Sequence, residues 1–150
     1  MDIKSKIKKA HMRAAFVYSE CSTAIRLKVG CVIVKDDRLI SIGYNGMPSG
    51  WTNECENIIG IDDVGTPILE TKPETLHAES NAIAKLASST ESGRDAALFC
   101  TVQPCLECAK LIHQTGIKQV YYVHPYRKTD GLEFLKKCKI HVEQMEHERP

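Results

Sequence analysis

His77-Ala78-Glu79-Ser80-Asn81-Ala82-Ile83-Ala84-Lys85-Leu86, Ala96-Ala97-Leu98-Phe99-Cys100-Thr101-Val102, Pro104-Cys105-Leu106-Glu107-Cys108 and Gln119-Val120-Tyr121-Tyr122-Val123-His124 follow one another along the second half of the chain. In the first run Ala78, Ala82 and Leu86 recur every four residues, which puts them on one helical face and places His77 and Glu79 in the first turn. The second run is apolar almost throughout, as in a strand buried on both faces. Pro104 has the fixed φ that suits a helix start, and residues 105–114 continue to a stop at Gly116. The last run is again a strand. Helix, strand, helix, strand in that order predicts a layered α/β sandwich.

Outward from this stretch, residues 131–138 read as a short helix and 139–142 as a last brief strand. Towards the N-terminus, Ile3, Ile7, Ala10, Ala14, Val17 and Tyr18 lie at helical spacing with lysines on the other face, predicting an amphipathic helix over residues 3–22. Residues 29–34 and 39–44 are apolar runs around Asp36-Asp37 and predict a hairpin ending at Gly43. Residues 46–76 hold Gly, Pro, Asn and Thr with little periodicity. They read as a long loop or lid, which a small domain keeps only where it has a use.

A chain of 150 residues with 43% hydrophobic content fits one domain, residues 1–150, with a core that needs no disulfide. A net charge of +1 lacks the basic excess that neutralises a polynucleotide backbone, which favours a small substrate. The lysine-rich N-terminus resembles no signal peptide and no run reaches membrane-spanning length, so a soluble protein of the cytoplasm is expected, the host's if the source is a virus. Seven cysteines are an odd number without a secretion signal, so metal binding is favoured over a disulfide framework. Cys31 and Cys100 sit in apolar runs and read as small core hydrophobes.

Cys105 and Cys108 are three apart, so on one helical turn both sulfurs face the same way and can grip one ion. Cys105 lies 26 residues beyond Glu79. If the intervening strand brings both helix N-termini to one sheet edge, His77 joins the two cysteines, and the helix ends favour their thiolates. One imidazole and two thiolates suit Zn2+ and leave its fourth tetrahedral position open to water, whose pKa the metal lowers to about 7. Glu79, a carboxylate free of the metal, is then placed to move protons. Taken singly these residues have blander readings: a His can cap a helix, and Cys-x-x-Cys can be a redox dithiol.

Together, His-x-Glu followed by Pro-Cys-x-x-Cys is the signature of the zinc nucleobase deaminases, with the Glu as proton shuttle. The chain further resembles the deoxycytidylate (dCMP) deaminase family of the cytidine deaminase superfamily. The resemblance extends to Gly43-Tyr44-Asn45-Gly46-Met47-Pro48-Ser49-Gly50, Lys28-Val29-Gly30-Cys31-Val32-Ile33-Val34 and Gln114-Thr115-Gly116-Ile117-Lys118, about residues 5–142. It implies a three-layer α/β/α sandwich around a mixed five-stranded sheet, and hydrolysis of dCMP to dUMP and ammonia that feeds thymidylate synthesis. It also implies a homohexamer, activated by dCTP and inhibited by dTTP, with Mg2+ carried by those triphosphates.

By the same resemblance Asn45 contacts the sugar and base, with Ala78 a further substrate-site residue, while Gly43, Tyr44, Asn45 and Gly46 lie near the regulatory nucleotide. From the residues themselves, Gly43 and Gly46 permit unusual φ and close backbone approach, whereas Asn-Gly alone makes a turn. A monophosphate needs a cation, and the guanidinium of Arg26 suits bidentate contact; Lys28 and Arg127 are weaker candidates. Tyr122 and Tyr126 can pack on the nucleotide, and Trp51 has ligand, subunit and loop roles open to it. Certain phage members of the family hold a second zinc with early cysteines and histidines just before the catalytic His. Cys21 and Cys55 remain here, but residues 69–76 contain no His, and a second zinc is not expected.

Rival readings within the superfamily are a cytidine deaminase, a tRNA adenosine deaminase and a riboflavin-pathway deaminase. The near-neutral charge speaks against the tRNA enzyme. From another class, a zinc-stabilised binding protein would have no use for Glu79.

Overall fold

The computed structural model describes residues 2–147. Helix α1 (Ser5–Ser19) precedes a hairpin of β1 (Gly30–Lys35) and β2 (Arg38–Tyr44), and then a second hairpin of β3 (Glu56–Ile61) and β4 (Pro67–Thr71). Helix α2 (Ala78–Ala87), β5 (Ala97–Val102), α3 (Leu106–Thr115), β6 (Gln119–His124), α4 (Asp130–Lys137) and β7 (His141–Gln144) follow. The main sheet runs β2-β1-β5-β6-β7. Its first two pairings are antiparallel and its last two parallel, so the sheet is mixed, as the sequence led one to expect. None of the described helices is long and apolar enough to cross a membrane.

Alternation along the central strands divides the core in two. Val32, Val34, Phe99, Tyr121 and Val123 face Met12 and Ala15 of α1. Cys31, Ile33, Leu98, Cys100 and Val120 point the other way, against Ala78, Ala82 and Leu86 of α2, Ala109 and Ile112 of α3, and Leu135 of α4. This is the α/β/α layering, and it explains why β5 reads as an apolar run broken only by Thr101: all six of its residues are buried. Cys31 and Cys100 lie opposite each other in adjacent strands, fully buried, in the core role their surroundings predicted.

Gly43 is where α2 seats on the sheet. A β-carbon there would collide with the carbonyl oxygen of Ala78 and stand 2.7 Å from the amide nitrogen of Ala82, backbone atoms that cannot turn aside. Gly43→Ala should therefore cost about 1–3 kcal/mol or more by overpacking, read as a lower urea midpoint at unchanged slope. A change below about 0.5 kcal/mol would show that the helix can ride outward without penalty. The expectation of unusual φ at Gly43 and Gly46 is not met, because the glycines with positive φ are Gly50, Gly65 and Gly116. Gly46 instead exchanges two backbone hydrogen bonds with Leu76 (3.1 and 2.7 Å), which anchors the chain one residue before His77.

The region expected to be a long loop contains the β3–β4 hairpin, paired only with itself among the described residues. Its strands are exposed on both faces, with Ile58, Ile59 and Ile61 all in solvent, so no in-out alternation marks them. The turn is nonetheless well built. Oδ1 of Asp62 accepts the N–H groups of Val64 (3.0 Å) and Thr66 (2.8 Å), and Gly65 takes φ 84°. The last strand starts two residues later than expected, since Lys139 adopts φ 60° after α4 and the chain must turn before it can extend.

Candidate active site

Two helix N-termini meet beyond the C-terminal end of β5. His77 is the N-cap of α2 and Cys105 the N-cap of α3, each with extended backbone, and neither side chain caps its own helix. Capping residues normally spend their side chains on the first free N–H groups; here both are released to the site. Pro104 thus stands one residue before the cap and not at the first helical position expected of it. Cys108 follows one turn into α3, and Glu79 lies in the first turn of α2.

Nδ1 of His77 is 3.6 Å from Sγ of Cys105 and 3.4 Å from Sγ of Cys108, and one atom from each of the three residues fits within a 4.8 Å span. Zinc–nitrogen and zinc–sulfur bonds of about 2.0 and 2.3 Å at the tetrahedral angle put N and S about 3.5 Å apart. The donor set therefore fits Zn2+ in chemistry and spacing, and it is the sole such cluster among the described residues.

The electrostatics agree. The Cys105 thiol is pushed down to about 4, by its hydrogen bond with Cys108 and then against desolvation by the one with His77. The proton left on the pair is held by Cys108, pushed up chiefly by the same bond. His77 is raised, first by Cys105. Glu79 is 4% exposed, and burial raises its pKa, so the carboxyl holds a proton more readily than one in water. His77 itself is exposed and Cys105 half-buried, which leaves the site open on one side.

A cavity of about 440 Å³ opens there, within the range of small-molecule sites. His77, Ala78, Glu79 and Cys105 form its floor, and Arg26, Asn45, Tyr126 and Arg127 belong to its wall. Asn45 serves the wall as well as lining it: Oδ1 accepts the Val29 N–H and Nδ2 donates to the Leu27 carbonyl, each at 2.8 Å. Nη1 of Arg26 reaches Oγ1 of Thr71 at 3.3 Å.

Tyr122 is a correction. It is buried in β6 and lies outside the cavity lining, while Tyr126, four residues on, takes that place; the strand has ended between them and freed the later side chain. Lys28 and Trp51 are likewise outside the lining. Gly43 is occupied by α2, and the exposed ring of Tyr44 sits under Nζ of Lys85, 5.6 Å from its centroid.

Sequence reasoning missed Glu56, Thr71 and Gln103, which also line the cavity. Glu56, on β3, accepts the Ile25 N–H on both carboxylate oxygens (3.1 and 3.0 Å) and the Arg26 N–H at 3.4 Å, tying the Arg26 segment to the hairpin. No local pattern marks Glu56; Gln103 stands two residues before a metal ligand, a position that could have drawn attention.

The family model "Cytidine and deoxycytidylate deaminase zinc-binding region" matches residues 5–124. The deoxycytidylate deaminase of Saccharomyces cerevisiae is 38% identical over 136 residues, 89% of this chain but 43% of its own, so the chain spans less than half of that relative. The deoxycytidylate deaminase of Enterobacteria phage T2 is 33% identical over 150 residues, 78% of this chain and 79% of its own. The crystal structure of dCMP deaminase from the cyanophage S-TIM5 in complex with dCMP and dUMP superposes with a TM-score of 0.85 at 43% identity, covering 96% of this chain and all of that one. The chain therefore belongs to the dCMP deaminase family of the cytidine deaminase superfamily.

Proposed function

We propose that this chain, as one zinc domain, hydrolyses dCMP to dUMP and ammonia. The observation that carries the proposal is the buried Glu79 carboxyl beside the His77-Cys105-Cys108 cluster, of which His77 and Cys105 line a cavity whose wall includes two arginines. When bound by those three residues, Zn2+ would supply acidified water as the nucleophile. Glu79 takes up a proton, delivers it to the ring nitrogen beside the amine-bearing carbon, and later assists the departing amine. Burial raises its pKa and so favours the protonated form that the second half of that task requires. Asn45 keeps residues 27–29 in register beneath the substrate. Arg26 and Arg127 offer the planar donors a phosphate requires.

The finer reading extends to dUMP supply for thymidylate synthesis, a hexamer, activation by dCTP and inhibition by dTTP with Mg2+, and Gly43 to Gly46 near the effector. It is supported by family resemblance. A substrate panel tests the core of the proposal. Turnover should be fastest with dCMP, with kcat/KM at least about tenfold above that for deoxycytidine, because a charge-assisted phosphate contact is worth about 1.5–3 kcal/mol. Equal rates on the two would remove the phosphate anchor. The same assay with dCTP or dTTP and magnesium reads the regulation directly.

A further inference from the structure

The connection between β6 and α4, residues 125–129, is exposed along its whole length and carries Tyr126 and Arg127 into the cavity wall. It has no helix or strand of its own. What meets it from the interior is Gln103, 5% exposed, at the end of β5. Oε1 of Gln103 accepts the Tyr126 N–H at 3.2 Å, and Nε2 donates to the Lys128 carbonyl at 2.7 Å. Its own N–H donates to the His124 carbonyl at 2.8 Å, so main chain and side chain grip the connection at three successive even-numbered residues. The side-chain amide thereby imitates one rung of a β-ladder beyond the point where β6 stops. A carboxylate in its place would lose the donor, and asparagine would fall one methylene short.

We propose that Gln103 is a positioning residue that fixes the Tyr126–Arg127 segment over the cavity and so sets how well the charged end of the nucleotide is held. This rests on the reading above that the substrate carries a phosphate. Gln103 acts through residues 126–128 and has no part in the proton transfers assigned to Glu79. Its contribution should therefore fall on KM, and only for substrates that reach Arg127.

Kinetics of the zinc-loaded wild type, Gln103→Ala, Arg127→Ala and the double variant, with dCMP and deoxycytidine, separate the possibilities. Gln103→Ala should raise KM for dCMP about tenfold, the loss expected from a loosened anchor, with kcat changed less than about threefold. In the Arg127→Ala background the same substitution should add less than about twofold, since both act on one contact. Hydrogen exchange gives a readout that needs no turnover: the Tyr126 amide should exchange at least about tenfold faster in Gln103→Ala. Equal losses on dCMP and deoxycytidine, full additivity with Arg127→Ala, or an unchanged Tyr126 amide would overturn the role of Gln103. A wild type inert towards dCMP would instead sink the proposed function, and the exchange experiment would still decide the clamp.

Discussion

Glu79→Gln should retain about one zinc per chain and lose kcat by roughly a hundredfold to ten-thousandfold, the range that general acid–base groups contribute. The amide is nearly isosteric and can take the same hydrogen bonds, so α2 and the cluster of His77, Cys105 and Cys108 are left standing. What it cannot do is exchange a proton. Because the carboxyl is buried, bulk water is a poor substitute, and the deficit should persist when buffer is raised. KM for dCMP should move little, since Glu79 is assigned to the transition state and not to holding the nucleotide. A variant with near-normal kcat would mean that another group moves the protons, and the proposed mechanism would have to be abandoned.

Cys108→Ala should remove the metal as well as the activity. Two remaining donors, His77 and Cys105, cannot close a tetrahedral site with one open corner, so zinc in the purified protein should fall from about one to below about one-tenth per chain. Activity should drop by at least roughly a thousandfold with it. Chelation of the wild type should reproduce the loss, and zinc should restore the wild type but not the variant. Since metal binding contributes to folding, chelator should lower the melting temperature of the wild type and leave that of Cys108→Ala unchanged. Full activity in a zinc-free variant would show that the three residues do not form the reactive centre.

The sequence by itself determined the five strands of the main sheet, the four helices and the residues of the metal cluster. Each of these is a local signal. Strands buried on both faces must be apolar almost throughout, as at Ala97–Val102; helices facing a core must repeat every three to four residues; and an imidazole, two thiolates and a free carboxyl admit few other uses. The β3–β4 hairpin escaped because both its faces are in solvent and periodicity has nothing to record.

Only the tertiary structure decided what surrounds the cluster. The ties of Asn45 to Leu27 and Val29, of Glu56 to Ile25 and Arg26, and of Gln103 to Tyr126 and Lys128 join residues between 16 and 31 positions apart. Each is a hydrogen bond between a side chain and a distant backbone group, which accepts any residue type at its far end and so leaves no trace in the sequence there. The same holds for Tyr122 and Tyr126: which of the two reaches the cavity depends on where β6 ends in space, and that is set by packing across the sheet.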